Sequence, residues 1–204
     1  MRTKLTRAAI ATAVAGLLLA GCSTSGGSTE TAESPEAATS SVPAAAEPLL
    51  ANFGLEGMET VEIVDHLDRL GGEDRPTDLM ASVRVDELLV SSGGEEYGLA
   101  LPEDRFYLSV APYVDQTHEC FYHSLTTCKG ELGATDVEVQ IVDETNDEVL
   151  VDGTETTFDN GFVGFWLPRD IEGTLRVSYD GKTAEMDFAT DEEAPTCVTT
   201  LQLA

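Results

Sequence analysis

Leu175-Arg176-Val177-Ser178-Tyr179-Asp180-Gly181-Lys182-Thr183-Ala184-Glu185-Met186-Asp187-Phe188 decides the fold. Apolar and polar side chains alternate on either side of Asp180-Gly181, the period of a half-buried strand. An Asp-Gly pair adopts the positive-φ conformations of a two-residue turn, and between two alternating runs it is the strongest hairpin signal in the chain. The same period recurs over 82–86, 97–101, 106–110, 137–141, 148–151 and 161–167. Glu144-Thr145-Asn146-Asp147 and Asp159-Asn160-Gly161 supply turns between them. Short strands at this spacing predict a mainly β fold, an antiparallel β-sandwich over residues 80–204. Phe158, Phe162, Phe165 and Trp166 are expected in its core, with Met58, Met80 and Met186 as filler.

Ahead of the sandwich, over 47–79, the period is helical. Leu49, Leu50, Phe53 and Leu55 make a short apolar turn. Val61, Val64 and Leu67 then recur at i, i+3 and i+6, flanked by Ile63 and Leu70, until Gly71-Gly72 stops the helix. Two such helices cannot form a core alone, so this small N-terminal region should pack on the sandwich or on a second copy of the chain. His66 falls one position off the stripe and is expected at the surface.

The first residues read as an address. Arg2, Lys4 and Arg7 form a basic segment, and residues 8–20 are apolar or small but too few to span a bilayer comfortably. Leu19-Ala20-Gly21-Cys22 has the form of a bacterial lipoprotein signal. Residues 1–21 would be the signal peptide and Cys22 the lipidated residue, leaving the protein extracytoplasmic and held to a membrane by its lipid. Residues 22–46, rich in Ser, Thr, Gly, Ala, Glu and Pro, read as a disordered tether. Without the signal the chain keeps 8 Lys+Arg against 38 Asp+Glu, a net of −30. Such a surface repels nucleic acid and anionic lipid, which excludes both as partners.

With Cys22 assigned to lipid, three cysteines remain: Cys120, Cys128 and Cys197. Outside the cytoplasm cysteines ordinarily pair, and three cannot all pair within one chain. One is free, binds metal, pairs between chains, or takes turns with another. Cys120 and Cys128 share a thirteen-residue stretch with His118 and His123. On an extended strand His118 and Cys120 face the same side. His123 comes within reach if the chain turns at Phe121-Tyr122, and Lys129 should favour the thiolate of Cys128. Soft thiolates select monovalent copper, and imidazoles widen the choice to divalent copper or zinc. The Cys-x7-Cys spacing matches no zinc-finger pattern, so on residues alone a metal site and a disulfide with a spare thiol stand level. No glycine-rich phosphate loop or Ser/His/Asp arrangement is present.

Four strings change that balance: His118 to Leu132, Pro195 to Leu203, Leu101 to Tyr113 and Asp159 to Arg169. Together they resemble the CueP family of periplasmic copper-binding proteins. The resemblance implies a copper-resistance protein whose copper-binding, redox-active thiols are here Cys120, Cys128 and Cys197; His118 and His123, close by in the sequence, are expected as auxiliary ligands or their support. It also implies a homodimer formed through the N-terminal region, reduction of cupric and ferric ions, and delivery of copper to a copper/zinc superoxide dismutase or another extracytoplasmic cuproenzyme. The lipid anchor and long tether depart from a freely soluble periplasmic form. The expected protein is thus a membrane-tethered copper chaperone or sequestering protein that binds Cu(I) and reduces Cu(II), with zinc as the lesser alternative to copper. The alternative is a thiol-disulfide oxidoreductase of the envelope, against which stands the absence of a Cys-x-x-Cys motif.

Overall fold

The computed structural model describes residues 42–204. The signal segment, Cys22 and most of the tether lie outside the described residues. The Asp180-Gly181 turn forms as its residue types require: their φ angles are 49° and 74°, and Tyr179 pairs with Lys182 across it. Two helices, α1 (Glu47–Ala51) and α2 (Thr60–Arg69), precede the strands. The strands are β1 (Met80–Val83), β2 (Glu87–Ser92), β3 (Glu95–Ala100), β4 (Arg105–Val110), β5 (Asp136–Asp143), β6 (Glu148–Thr156), β7 (Val163–Pro168), β8 (Glu172–Tyr179), β9 (Lys182–Ala189) and β10 (Cys197–Val198).

The fold is mainly β, as the alternation predicts. An antiparallel sheet in the order β6-β5-β8-β9 packs on a second sheet, β10-β4-β7. Between them Phe106, Leu108, Val110, Ile141, Leu175 and Val177 form the sandwich core. Each such fully buried side chain contributes roughly 1.5–3 kcal/mol of transfer free energy. The two-residue β10 joins β4 in parallel, Cys197 opposite Ser109.

Strand β2 carries no alternation in its sequence, since Leu88-Leu89-Val90 is an unbroken apolar run. It forms the centre of a separate antiparallel sheet, β1-β2-β3. That sheet and both helices close over one core that includes Leu50, Leu55, Ile63, Leu67, Leu88 and Leu99. Tyr107 and Trp166, from the back of the β4–β7 pair, complete it. Strand β4 is therefore buried on both faces. Phe106, Leu108 and Val110 enter the sandwich, while Tyr107 and Ser109 turn toward α2.

Helix α2 starts with a reciprocal capping box between Glu59 and Glu62. It buries Thr60, Ile63, Val64, Leu67 and Asp68, whereas His66 is exposed as expected. Among the described residues no helix is long and apolar enough to cross a membrane. Two expectations about the core need correction. Met80 is 51% exposed because it points outward from β1. Of the four aromatics only Phe165 enters the sandwich core. Trp166 faces the helices, Phe158 lies half-buried beneath the Arg69 guanidinium, and Phe162 packs among the cysteines.

Candidate metal centre

The long segment between β4 and β5 holds Cys120, His123 and Cys128, and several backbone contacts fix its path. Val83 donates its N–H to the His123 carbonyl at 2.8 Å, and Leu125 to that of Ala81 at 2.9 Å. Cys197 donates to the Phe121 carbonyl at 3.1 Å, which lays β10 beside the cysteine segment. Thr196 Oγ1 accepts from the His123 N–H at 3.0 Å and donates to the Val83 carbonyl at 2.7 Å. The stretch is thus clamped between β1 and the last strand.

The clamp brings Cys120, His123, Cys128 and Cys197 together, with one ligand atom from each lying within 4.8 Å of all the others. Cys120 and Cys197 are joined by a disulfide, and Cys128 is the free thiol. The Cys128 sulfur lies 3.4 Å from that of Cys120, and the Cys197 sulfur 3.7 Å from His123 Nδ1. Phe162 walls the group, its ring centroid 4.4 Å from that of His123. Of the five residues singled out in the sequence, four meet here. His118 stands outside the 4.8 Å group, but its Nε2 is buried without a hydrogen-bond partner. A buried, unpartnered imidazole nitrogen on the cleft that Cys128 also lines is the kind of atom that a soft metal ion satisfies.

The charge states are set mutually. Burial pushes the Cys128 thiol up, but hydrogen bonding and charge from His123 outweigh it and bring the thiol down from 9.0 to about 7, with smaller help from His118 and the Ser124 N–H. Burial likewise opposes charge on His123, yet Asp68 and Cys128 raise it from 6.5 to about 9. The partner that activates Cys128 is thus His123; Lys129, expected to do this, is exposed and not among the causes.

Asp68 was not foreseen from the sequence. It is fully buried, and four side chains converge on it. His123 Nε2 meets its Oδ1 at 2.8 Å, Tyr107 donates to Oδ2 at 2.6 Å, Ser109 to Oδ2 at 3.3 Å and Asn160 to Oδ1 at 3.3 Å. Burial raises its pKa, but the His123 charge and these donors hold the carboxyl below the usual carboxylate range. A side chain on Gly164 would collide with the Tyr107 hydroxyl, so only glycine there lets Tyr107 reach Asp68. Arg75 joins the end of α2 to the cysteine segment, donating to the carbonyls of Leu70 and Cys128. One signal pointed to Asp68: it is an acid on the apolar stripe that continues Ile63, Val64 and Leu67. Beside Cys128, residues 116–119 and 127–131 line an open cleft of about 790 Å³ that gives access from solvent.

Fold and cluster define a class, a β-sandwich protein with a buried centre of three sulfurs and an imidazole fed by both ends of the β region. The family model described as periplasmic copper-binding protein CueP matches residues 62–202, and the chain belongs to that family. Among solved structures it is similar to one titled "Crystal Structure of S.CueP", with 41% identity and a TM-score of 0.74, over 80% of this chain and 100% of that one. No curated protein matches the chain.

Proposed function

We propose that this chain is a copper-binding protein of the cell envelope that sequesters copper or hands it on. The observation that carries the reading is the convergence of Cys120, Cys128, Cys197 and His123 within 4.8 Å. Thiolates with an imidazole suit cuprous ion, while zinc accepts similar donors and is the competitor to test. His118 is the fifth candidate ligand, supported by its unpartnered Nε2. In the reduced protein all three sulfurs are free to bind. Oxidation has a balanced course: Cys120 and Cys197 give one electron each to two cupric ions, yielding two cuprous ions, two protons and the disulfide. An extracytoplasmic cuproenzyme, such as a copper/zinc superoxide dismutase, is the proposed recipient. A lipid on Cys22 would keep the transfer near a membrane, and a homodimer through the helical region belongs to the same reading.

The test is a titration of cuprous ion into the reduced protein against a competing chelator. The expected result is stoichiometric binding that is lost when all three cysteines become serine. Binding that persists in the serine variant would sink the proposal. A thiol-disulfide oxidoreductase is the second reading, favoured by the free Cys128 sulfur 3.4 Å from the disulfide. Under that reading a dithiol substrate changes the free-thiol count in the absence of copper. Under the leading reading only cupric ion does.

A further inference from the structure

We propose that Asp68 is a positioning residue for the metal centre, holding His123 so that Nδ1, and not Nε2, is the nitrogen offered to the copper. This inference deepens the copper reading and rests on it. The geometry is specific. His123 Nε2 lies 2.8 Å from Asp68 Oδ1, so Nε2–H donates to the carboxylate, while Nδ1 points toward the Cys197 sulfur at 3.7 Å. Both side chains are fully buried, so water does not compete for either ring nitrogen.

The carboxylate is itself held from several directions. Tyr107 and Ser109, two apart on the helix-facing side of β4, both donate to Oδ2. Asn160 donates to Oδ1 and also to the Asp68 main-chain carbonyl. The Asn160 side-chain oxygen then accepts the Phe162 N–H at 2.8 Å, and the Phe162 ring packs, tilted, against the His123 ring. One network therefore fixes both the edge and the face of the imidazole. Metal-bound histidines commonly give their second N–H to a carboxylate, which sets the tautomer and raises ligand basicity; losing that partner typically costs about 10–100-fold in metal affinity. A purely structural ion pair would not require Nδ1 to face the sulfurs.

Two measurements test the assignment. Cuprous ion is diamagnetic, so nitrogen-15 NMR of the copper-loaded protein reads the His123 ring directly. Nε2 should carry the proton and Nδ1 the metal-induced shift; Nδ1–H with Nε2 bound, or a doubly protonated ring, overturns the assignment. The second is a double-mutant cycle on copper affinity. Asn at position 68 keeps the shape, since its oxygen can face His123 and its NH2 the two hydroxyls. Asp68→Asn should still bind one cuprous ion but about 10–100-fold more weakly. His123→Ala should lose a similar amount, and the double variant little more than either. Unchanged affinity in Asp68→Asn, or losses that simply add, overturns the inference while leaving copper binding intact. An unaltered protein that binds no cuprous ion instead overturns the copper reading, and this inference with it.

Discussion

His123 and Cys128 set each other's charge against the tendency of burial, and this is measurable at a single sulfur. In the disulfide form the Cys128 thiolate grows in as pH rises through about 7. Alkylation of Cys128 should therefore rise to a plateau with its midpoint there, and His123→Ala should move the midpoint up toward the ordinary 9.0. A midpoint near 9 in the unaltered protein would contradict the pairing. The stability consequences have opposite signs. Cys128, with its value depressed, stabilises fully above the ordinary thiol range, and that contribution is lost as pH falls through about 7. His123, with its value raised, stabilises fully below the ordinary imidazole range and loses this as pH rises through about 9. Removing the Tyr107 hydroxyl leaves Asp68 one charge-assisted hydrogen bond short. Tyr107→Phe should cost about 1.5–3 kcal/mol in urea unfolding, and a cost near zero would mean that Asp68 does not need it.

Among the elements, those with a strong local signature were legible and those that depend on partners were not. The Leu175–Phe188 hairpin carries its alternation and its turn residues in one stretch, so its reading survives unaltered. Strand β2 reads as an apolar run because the half-buried Leu89, on the face opposite Leu88 and Val90, is apolar too, and β10 is too short to show any period. The cysteine segment was legible as a ligand cluster, and the odd thiol count pointed to Cys197. Asp68 was missed because it lies far away in sequence and its role exists only once α2 docks on β4. Phe162 was assigned to the sandwich because an aromatic beside Phe165 and Trp166 gives no clue to which face it takes. The hairpin yields its own prediction. Gly181 sits at φ 74°, so Gly181→Ala should destabilise by about 1–2 kcal/mol, since a Cβ is strained there. Copper stoichiometry should not change, and a loss of binding would mean that the hairpin and the centre are coupled in a way the packing does not suggest.

At the scale of the whole molecule, the sandwich carries β10 back to a segment some seventy residues earlier, so the centre exists only in the folded chain. Ligand binding to the native state alone then raises stability, by about 2.7 kcal/mol at a hundredfold excess over Kd. Cuprous ion should raise the Tm of the reduced protein and leave that of the triple serine variant unmoved. The acidic surface, at a formal −27 for the whole chain, adds only a diffuse attraction that salt screens. Specific binding should therefore persist at high ionic strength. The central claim is that one centre draws its sulfurs from Cys120, Cys128 and Cys197 and a nitrogen from His123. X-ray absorption on the reduced, cuprous-loaded protein tests it most directly. The expected result is a sulfur-dominated shell with one imidazole nitrogen that loses a sulfur in Cys197→Ser. A shell of oxygen and nitrogen alone, or a spectrum unmoved by Cys197→Ser, would contradict it.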